Sequence, residues 1–247
     1  MKYVGMDVHG KATVYCVLDA EGQVVERGSI ETTAPALTSL VLRLLATDEL
    51  TCGQEVGTMS HFVHDIVTTA GARILSFNAQ HLRMIASSRK KTDKRDAFWI
   101  AKCLQTGMMP HPVHIPTTEV RRLRSLLAQR ISIASERKRW MLRARSHLRA
   151  IGTPLAKGAW KITRKLEEIL SGPCGLDAYR AEALELCARQ EQSLRTELRR
   201  IEKTLFAEAR RIDAVRRLRT IPSVGPWVAL AIFAGVGDIR RFVALAS

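Results

Sequence analysis

Three short runs open the chain, and their spacing restricts the fold more than any other feature. Tyr3 to Val8 alternates, with Val4, Met6 and Val8 on one face and Tyr3, Gly5 and Asp7 on the other. Alternation of this period marks a half-buried strand. His9-Gly10-Lys11 reads as a turn, Ala12 to Leu18 as a second strand, Asp19-Ala20-Glu21-Gly22 as a second turn and Gln23 to Ile30 as a third strand. Connections this short join antiparallel neighbours, so the first thirty residues read as a meander. The pattern then changes. A helix is expected from about Pro35 to Ala46, a short strand over Thr51 to Val56, a helix capped by Ser60 and running to about Ala70, and a strand over Ala72 to Phe77. Hairpin strands followed by alternating helices and strands predict an α/β domain on a mixed sheet.

Within that frame four carboxylates stand out. Asp7 lies inside the first strand, where a charge is costly unless it is paired or binds a metal. Glu55 lies near the end of a later strand. Asp93 and Asp96 sit in Lys90-Lys91-Thr92-Asp93-Lys94-Arg95-Asp96-Ala97, ahead of a helix-forming run. On a helix, positions three apart are neighbours on one face, about 5–6 Å apart at Cβ. Thr92 can cap such a helix, and carboxylates in its first turn suit the helix dipole. Taken alone, the segment reads equally as a capped, solvated helix start. Four carboxylates on strand ends and a helix face are also what two divalent cations with oxygen preference need. Two such ions lie about 3.5–4 Å apart and clamp the attacking and leaving oxygens of a phosphoryl transfer. His61 and His64 are three apart as well, but no further His or Cys ligands complete a zinc set, and they read as surface or half-buried side chains.

Charge divides the 247 residues. Residues 1–100 carry 11 Lys/Arg and 11 Asp/Glu, while residues 101–247 carry 28 basic and 13 acidic residues, so the whole net charge of +15 lies in the second part. That distribution points to a polyanion, nucleic acid before a membrane surface. The five cysteines form no C-x-x-C pair and read as reduced thiols. No run approaches the ~18 apolar residues of a membrane span, and the start of the chain carries a charge where a signal peptide needs an apolar run. The expectation is a cytoplasmic protein.

Met109 to Pro116 holds three prolines and reads as a connector, giving expected domains of 1–112, 113–215 and 216–247. Thr117 to Ile151 then predicts one long helix. Val120, Leu127, Ala134, Met141 and Leu148 repeat every seven residues; the companion row, Leu123, Arg130, Arg137, Ala144 and Ile151, is only partly apolar. Ten basic residues (Arg121, Arg122, Arg124, Arg130, Arg137, Lys138, Arg139, Arg143, Arg145 and Arg149) face one acid, Glu136, which marks a nucleic-acid contact. After a short helical piece at 162–170 and a loop, Asp177 to Ile212 predicts a second long helix. Its seam is Leu184, Cys187, Glu191, Leu194, Leu198, Ile201, Leu205, Glu208 and Ile212. The two helices fit an antiparallel hairpin, a coiled coil with a partner subunit, or both. Thr220 to Ala234 reads as a tight turn at Gly225 feeding an apolar helix that has no evident partner in the few residues left. It looks like half of a helix-hairpin-helix, whose helix-start N–H groups bind phosphate.

These segments resemble the insertion-sequence-110 family of transposases, the DEDD recombinases of bacterial mobile elements. The opening motif is Gly5-Met6-Asp7-Val8-His9, the glutamate motif Glu55-Val56-Gly57-Thr58, and the most specific is Lys91-Thr92-Asp93-Lys94-Arg95-Asp96-Ala97. Ile221 to Pro226 with Gly237 to Phe242 match the start of the family's C-terminal transposase domain. The resemblance implies an RNase H-like (Holliday-resolvase-like) N-terminal domain, a helical coiled-coil region used for assembly into a homo-oligomer, and the beginning of a helix-hairpin-helix-like domain. It implies Asp7, Glu55, Asp93 and Asp96 as catalytic ligands of two Mg²⁺ or Mn²⁺ ions. It implies DNA as substrate, a structured guide RNA as a further partner and a place at the bacterial nucleoid. Lys90, Lys91, Lys94, Arg95, Arg121, Arg122, Arg124, Arg130, Arg137, Arg139, Arg143 and Gly225 are the expected nucleic-acid contacts. The family's nucleophilic serine has no match at Ser223 or Ser247, so the chain is expected to be a C-terminally truncated transposase. Two other readings share the same residues: a metal-dependent nuclease that activates water, and a nucleic-acid-binding remnant without catalysis.

Overall fold

The computed structural model describes residues 1–78, 80, 93–109, 111–152, 177–240 and 242, with residues 93 and 94 described by backbone alone. Two compact units are present, Met1–Ile115 and Pro116–Ser247.

The first unit runs β1 (Lys2–Val8), β2 (Ala12–Leu18), β3 (Val24–Glu31), α1 (Ala34–Leu45), β4 (Leu50–Glu55), α2 (Ser60–Thr69), β5 (Arg73–Phe77) and α3 (Asp93–Thr106). The sheet order is β3-β2-β1-β4-β5. The meander pairs antiparallel, while β4 and β5 join parallel to β1, so the sheet is mixed as expected. Alternation decides the faces. Val4, Met6, Tyr15, Val17, Leu50, Cys52 and Ile74 pack under α1 and α2 against Leu37, Val41, Val63 and Val67. On the other face Cys16, Leu18 and Phe77 pack under α3 against Ala97, Ala101, Ile100 and Leu104.

Ser60 does not cap α2. Met59 holds the cap position, and the Ser60 hydroxyl donates to the Gly57 carbonyl at 2.7 Å, closing the turn ahead of the helix. The expected cap at Thr92 lies outside the described residues. The Pro-rich connector stays with the first unit for most of its length, because Val113 N–H donates to the Ser76 carbonyl at 2.7 Å beyond the end of α3. Cys16, Cys52, Cys103 and Cys187 are free and buried, and burial pushes the Cys52 thiol up to about 12; Cys174 lies outside the described residues.

The seat of α3 is set by a glycine. A Cβ built on Gly5 would lie 1.9 Å from the Ala97 carbonyl oxygen and 2.5 Å from the Ala101 nitrogen, in the middle of a helical hydrogen bond. At Gly53, which pairs with Gly5 across β1 and β4, a Cβ would meet Leu104 and Ile100 at 2.8 and 2.9 Å. The helix backbone therefore rests directly on β1.

In the second unit α4 (Thr118–Ala150) and α5 (Ala178–Arg211) lie antiparallel: Met141, Ala144 and Leu148 pack on Leu184 and Cys187, and Leu123 packs on Leu205 and Ala209. Side chains cap both helices, Thr117 accepting from Val120 N–H and Asp177 from Arg180 N–H. α6 (Asp213–Leu218) and α7 (Pro226–Val236) follow. The apolar α7 finds its partner upstream: Ala229, Leu230 and Ala234 bury with Leu123, Leu205, Ala209 and Val215. The short helix expected at 162–170 lies outside the described residues.

At Gly5 the obstructing atoms are backbone, which has no rotamer to yield, so overpacking there costs about 1–3 kcal/mol or more. Gly5→Ala should lower the melting temperature well below that of Gly10→Ala, whose Cβ meets nothing within 4 Å. Equal melting temperatures would contradict the close seat. A second expectation concerns pH. Hydrogen bonds from Arg43, at 2.6 and 2.8 Å, and from Tyr15, at 2.6 Å, hold the Glu26 carboxyl down at about 2. A lowered carboxylate contributes stability above its unfolded value, near 4.5, and loses it as pH falls toward about 2. The melting-temperature gap between the natural chain and Glu26→Gln should be constant near neutrality and close over that acidic window.

Candidate metal centre and nucleic-acid interface

Asp7 and Glu55 come together through strand register. β1 and β4 are parallel, with Gly5 opposite Gly53 and Met6 opposite Gln54. One further step sets Asp7 beside Glu55 at the carboxyl end of both strands, on the face that carries α3. Asp7 is largely shielded, its side chain 17% exposed, and His9 Nε2 lies 3.2 Å from its Oδ2. The turn carrying His9 is held from below: Thr32 Oγ1 donates to the His9 carbonyl at 2.8 Å and stands 2.9 Å from the buried Thr13 Oγ1.

α3 runs antiparallel to β1. Its carboxyl-terminal Gln105 donates to the Ala20 carbonyl in the β2–β3 turn, at the opposite end of the sheet from Asp7. Its first turn is therefore at the Asp7 end. Ala97 sits over Gly5, and four helical residues rise roughly 6 Å; two strand residues advance roughly 6.6–6.8 Å. Position 93 thus stands one turn beyond Ala97 as Asp7 stands one step beyond Gly5. Asp96 stands one turn beyond Ile100, over the strand that ends in Glu55. Asp96 is half-buried, and the Asp93 side chain lies outside the described residues. Among the described residues no three His, Cys, Asp or Glu side chains form a metal-ligand group. His61 is exposed and His64 is half-buried, 3.5 Å from Asp65.

The sequence did not single out Gln54. Fully buried, its amide donates to the Ser60 carbonyl at 2.8 Å and Ser76 Oγ at 3.0 Å. It ties the end of β4, and so Glu55, to α2 and β5. A polar residue on the apolar face of a strand was the available signal.

A model of the DEDD transposases of IS110 type, described as "Transposase", matches residues 4–153. That stretch is more than half of the chain. The chain belongs to the IS110 family of transposases. It is also similar to the transposase for insertion sequence element IS1111A of Coxiella burnetii (strain RSA 493 / Nine Mile phase I), with 25% identity over 243 residues. That match covers 98% of this chain and 65% of the relative, so the chain spans less than two thirds of the relative's length. The family match takes in all four carboxylates and the whole of α4.

The basic residues of this family member are placed unequally. Lys90 and Lys91 and the side chain of Lys94 lie outside the described residues, and Arg95 is exposed. On α4 the acids that the helix itself lacks arrive from α5. Arg137 and Arg195 bond the buried Glu191 at 2.7 and 2.9 Å, Arg130 bonds Glu202 at 2.8 Å, and Arg122 bonds Glu208 at 3.2 Å. Arg124 donates to the Ala234 and Gly235 carbonyls at the end of α7. Arg130 also stacks on Trp227, 4.5 Å from the ring centre, beside Gly225 at the cap of α7. Arg121 donates to Thr118 Oγ1, Arg139 pairs with Glu136, and Arg143 lies over Trp140. Many of these arginines therefore hold the helices together. Even so, the second unit carries 27 basic residues against 13 acidic ones, so its net charge stays strongly positive.

Removing one partner of a buried ion pair costs about 3–5 kcal/mol, since the other charge stays behind. Glu191→Ala should approach that loss in a denaturant titration and Arg139→Ala, on an exposed pair, should barely register. Similar losses for both would contradict the placement.

Proposed function

We propose that the chain is the metal-binding part of a DNA transposase, which cleaves and joins strands at the carboxyl end of β1 and β4. One observation carries this: Gly5 and Gly53 admit α3 onto the sheet, which delivers its first turn to the sheet end where Asp7 and Glu55 lie. The strand order, a three-stranded meander with two parallel strands added beside β1, is the order of an RNase H-like domain, and we read it so.

The donor set fits hard divalent cations. Asp7, Glu55, Asp93 and Asp96 supply oxygen alone, the preference of Mg²⁺ and Mn²⁺. Two such ions would neutralise charge developing on a phosphodiester and lower the pKa of an attacking hydroxyl or water. The chain's own residues do the rest. The strand ends and α3 fix the carboxylates on rigid elements, and the His9 contact restrains the Asp7 rotamer. The surplus cations of the second unit draw in nucleic acid by its phosphates, which bind DNA and a structured guide RNA alike. The antiparallel helices, read as a coiled coil, would serve assembly into a homo-oligomer at the bacterial nucleoid.

Mn²⁺ should raise the melting temperature of the natural chain, and that increment should vanish in Asp7→Asn and in Asp96→Asn. Metal-dependent nicking of supercoiled plasmid should fall at least about a hundredfold in both, the scale of a lost charge-stabilising group. Nicking that survives Asp7→Asn overturns the assignment. A phosphatase-resistant protein–DNA adduct separates strand transfer from simple hydrolysis, which leaves none.

A further inference from the structure

The face that carries the carboxylates continues across the meander. Asp7 pairs with Val14, and Val14 with Ser29; one step down, Gly5 pairs with Cys16, and Cys16 with Arg27. Arg27 and Ser29 therefore stand on edge strand β3, on the Asp7 face. They line, with Val14, Tyr15 and Gly28, an open cleft of about 420 Å³. Arg27 is exposed, and its guanidinium is held 5.2 Å from the centre of the Phe98 ring on α3 and at the buried Cys16 thiol. No carboxylate pairs with it among the described residues. Its sequence neighbour Glu26 points to the opposite face, where Arg43 and Tyr15 hold it.

An arginine ordered by an aromatic ring, open to solvent and with no counterion among the described residues presents a fixed fork for a phosphate. Strand spacing of roughly 4.8 Å puts Ser29 about 10 Å from Asp7, and one strand step more puts Arg27 about 12 Å away, backbone to backbone. That span corresponds to at most three to four nucleotides of a duplex strand, since each rises roughly 3.4 Å along the axis while also winding about it. We infer that the β2–β3 shelf is a subsite for the DNA strand being cut, in which Arg27 grips a backbone phosphate within three or four nucleotides of the scissile bond and Ser29 adds a hydroxyl donor. The inference rests on the carboxylate end being the cleavage site.

The test uses the full chain with a fluorescein-labelled DNA duplex, read by anisotropy in Ca²⁺ over a range of salt concentrations. Arg27→Ala should weaken binding roughly tenfold and lower the salt slope by about 1, as loss of one phosphate contact does. Arg27→Lys should restore the slope. Phe98→Leu, which keeps the charge and removes the ring, should keep the slope and weaken binding less. Plasmid nicking by Arg27→Ala should show a raised KM with kcat nearly unchanged, and its melting temperature should stay close to that of the natural chain. Binding by Arg27→Ala within about twofold of the natural chain, at an unchanged slope, overturns the subsite; so does a natural chain that does not bind the duplex. Nicking that persists in Asp7→Asn instead brings down the cleavage site itself, and the two failures are told apart by which variant produces them.

Discussion

The first unit depends on the missing Cβ at Gly5. An ordinary helix packs on a sheet through side chains from both, and that layer sets the separation. At Gly5 the layer is absent, and the helix backbone at Ala97 and Ala101 occupies the space a methyl group would need. Two consequences follow. The helix is locked in register along β1, because only there does its hydrogen-bonded backbone find room. Its first turn is then fixed relative to the strand ends to within the tolerance of a packed core, which is what a carboxylate cluster needs and what a loop would not provide. Gly53 extends the same seat to β4 for the larger side chains Ile100 and Leu104. The geometry of the candidate site is therefore set by residues that carry no chemistry.

This explains what the sequence shows and what it hides. The alternation of Val4, Met6 and Val8 against Tyr3, Gly5 and Asp7 is local information, and the strands lie within two residues of where it puts them. The same holds for α4 and α5, which begin one residue after the expected Thr117 and Asp177, whose side chains cap them. The four carboxylates are visible as residue types, but the sequence does not show that α3 runs antiparallel to β1 and brings its first turn to the sheet end of Asp7 and Glu55. The acid–base ratio along α4 is equally one-dimensional. Ten basic residues against Glu136 look like an exposed phosphate face until Glu191, Glu202 and Glu208 arrive from a helix some sixty residues away. Arg27 hides for the converse reason. It sits among acids in sequence, at Glu26 and Glu31, and only the strand pleat sends it to the opposite face from Glu26.

The helix pair shows how polar residues in an apolar seam act. Glu191 and Glu208 interrupt an otherwise apolar row on α5, and Arg130 and Arg137 interrupt the companion row on α4. Their interruptions match only when the helices run antiparallel in the observed register. A slip of one turn would leave Glu191, 3% exposed, without Arg137. Such a pair is weak as a source of net stability, since desolvation offsets much of the attraction. Its effect is on alternatives: a buried carboxylate penalises every register that fails to supply its arginines. The same residues thus look like interface cations in the sequence and act as register marks in the fold.

The division of charge then has a physical sense beyond attraction to nucleic acid. In the proposed site, carboxylates gathered at one sheet end would repel a phosphodiester until cations screen them, and the first hundred residues have no net charge to compensate. A site of this kind works only if affinity comes from elsewhere. On the proposed function the second unit would supply it in bulk, with 27 basic residues against 13 acidic ones, a surplus that internal ion pairing leaves unchanged. Bulk attraction of that sort is long-ranged and indifferent to register. Such attraction would gather a strand onto the protein without aligning any bond with the carboxylates. Alignment needs a short-range contact on the same rigid sheet as the cluster, at a spacing commensurate with the strand. Arg27, steadied by Phe98 on the face that holds Asp7 and without a carboxylate partner among the described residues, would meet that requirement, whereas Arg130 and Arg137 of α4 are engaged with Glu202 and Glu191.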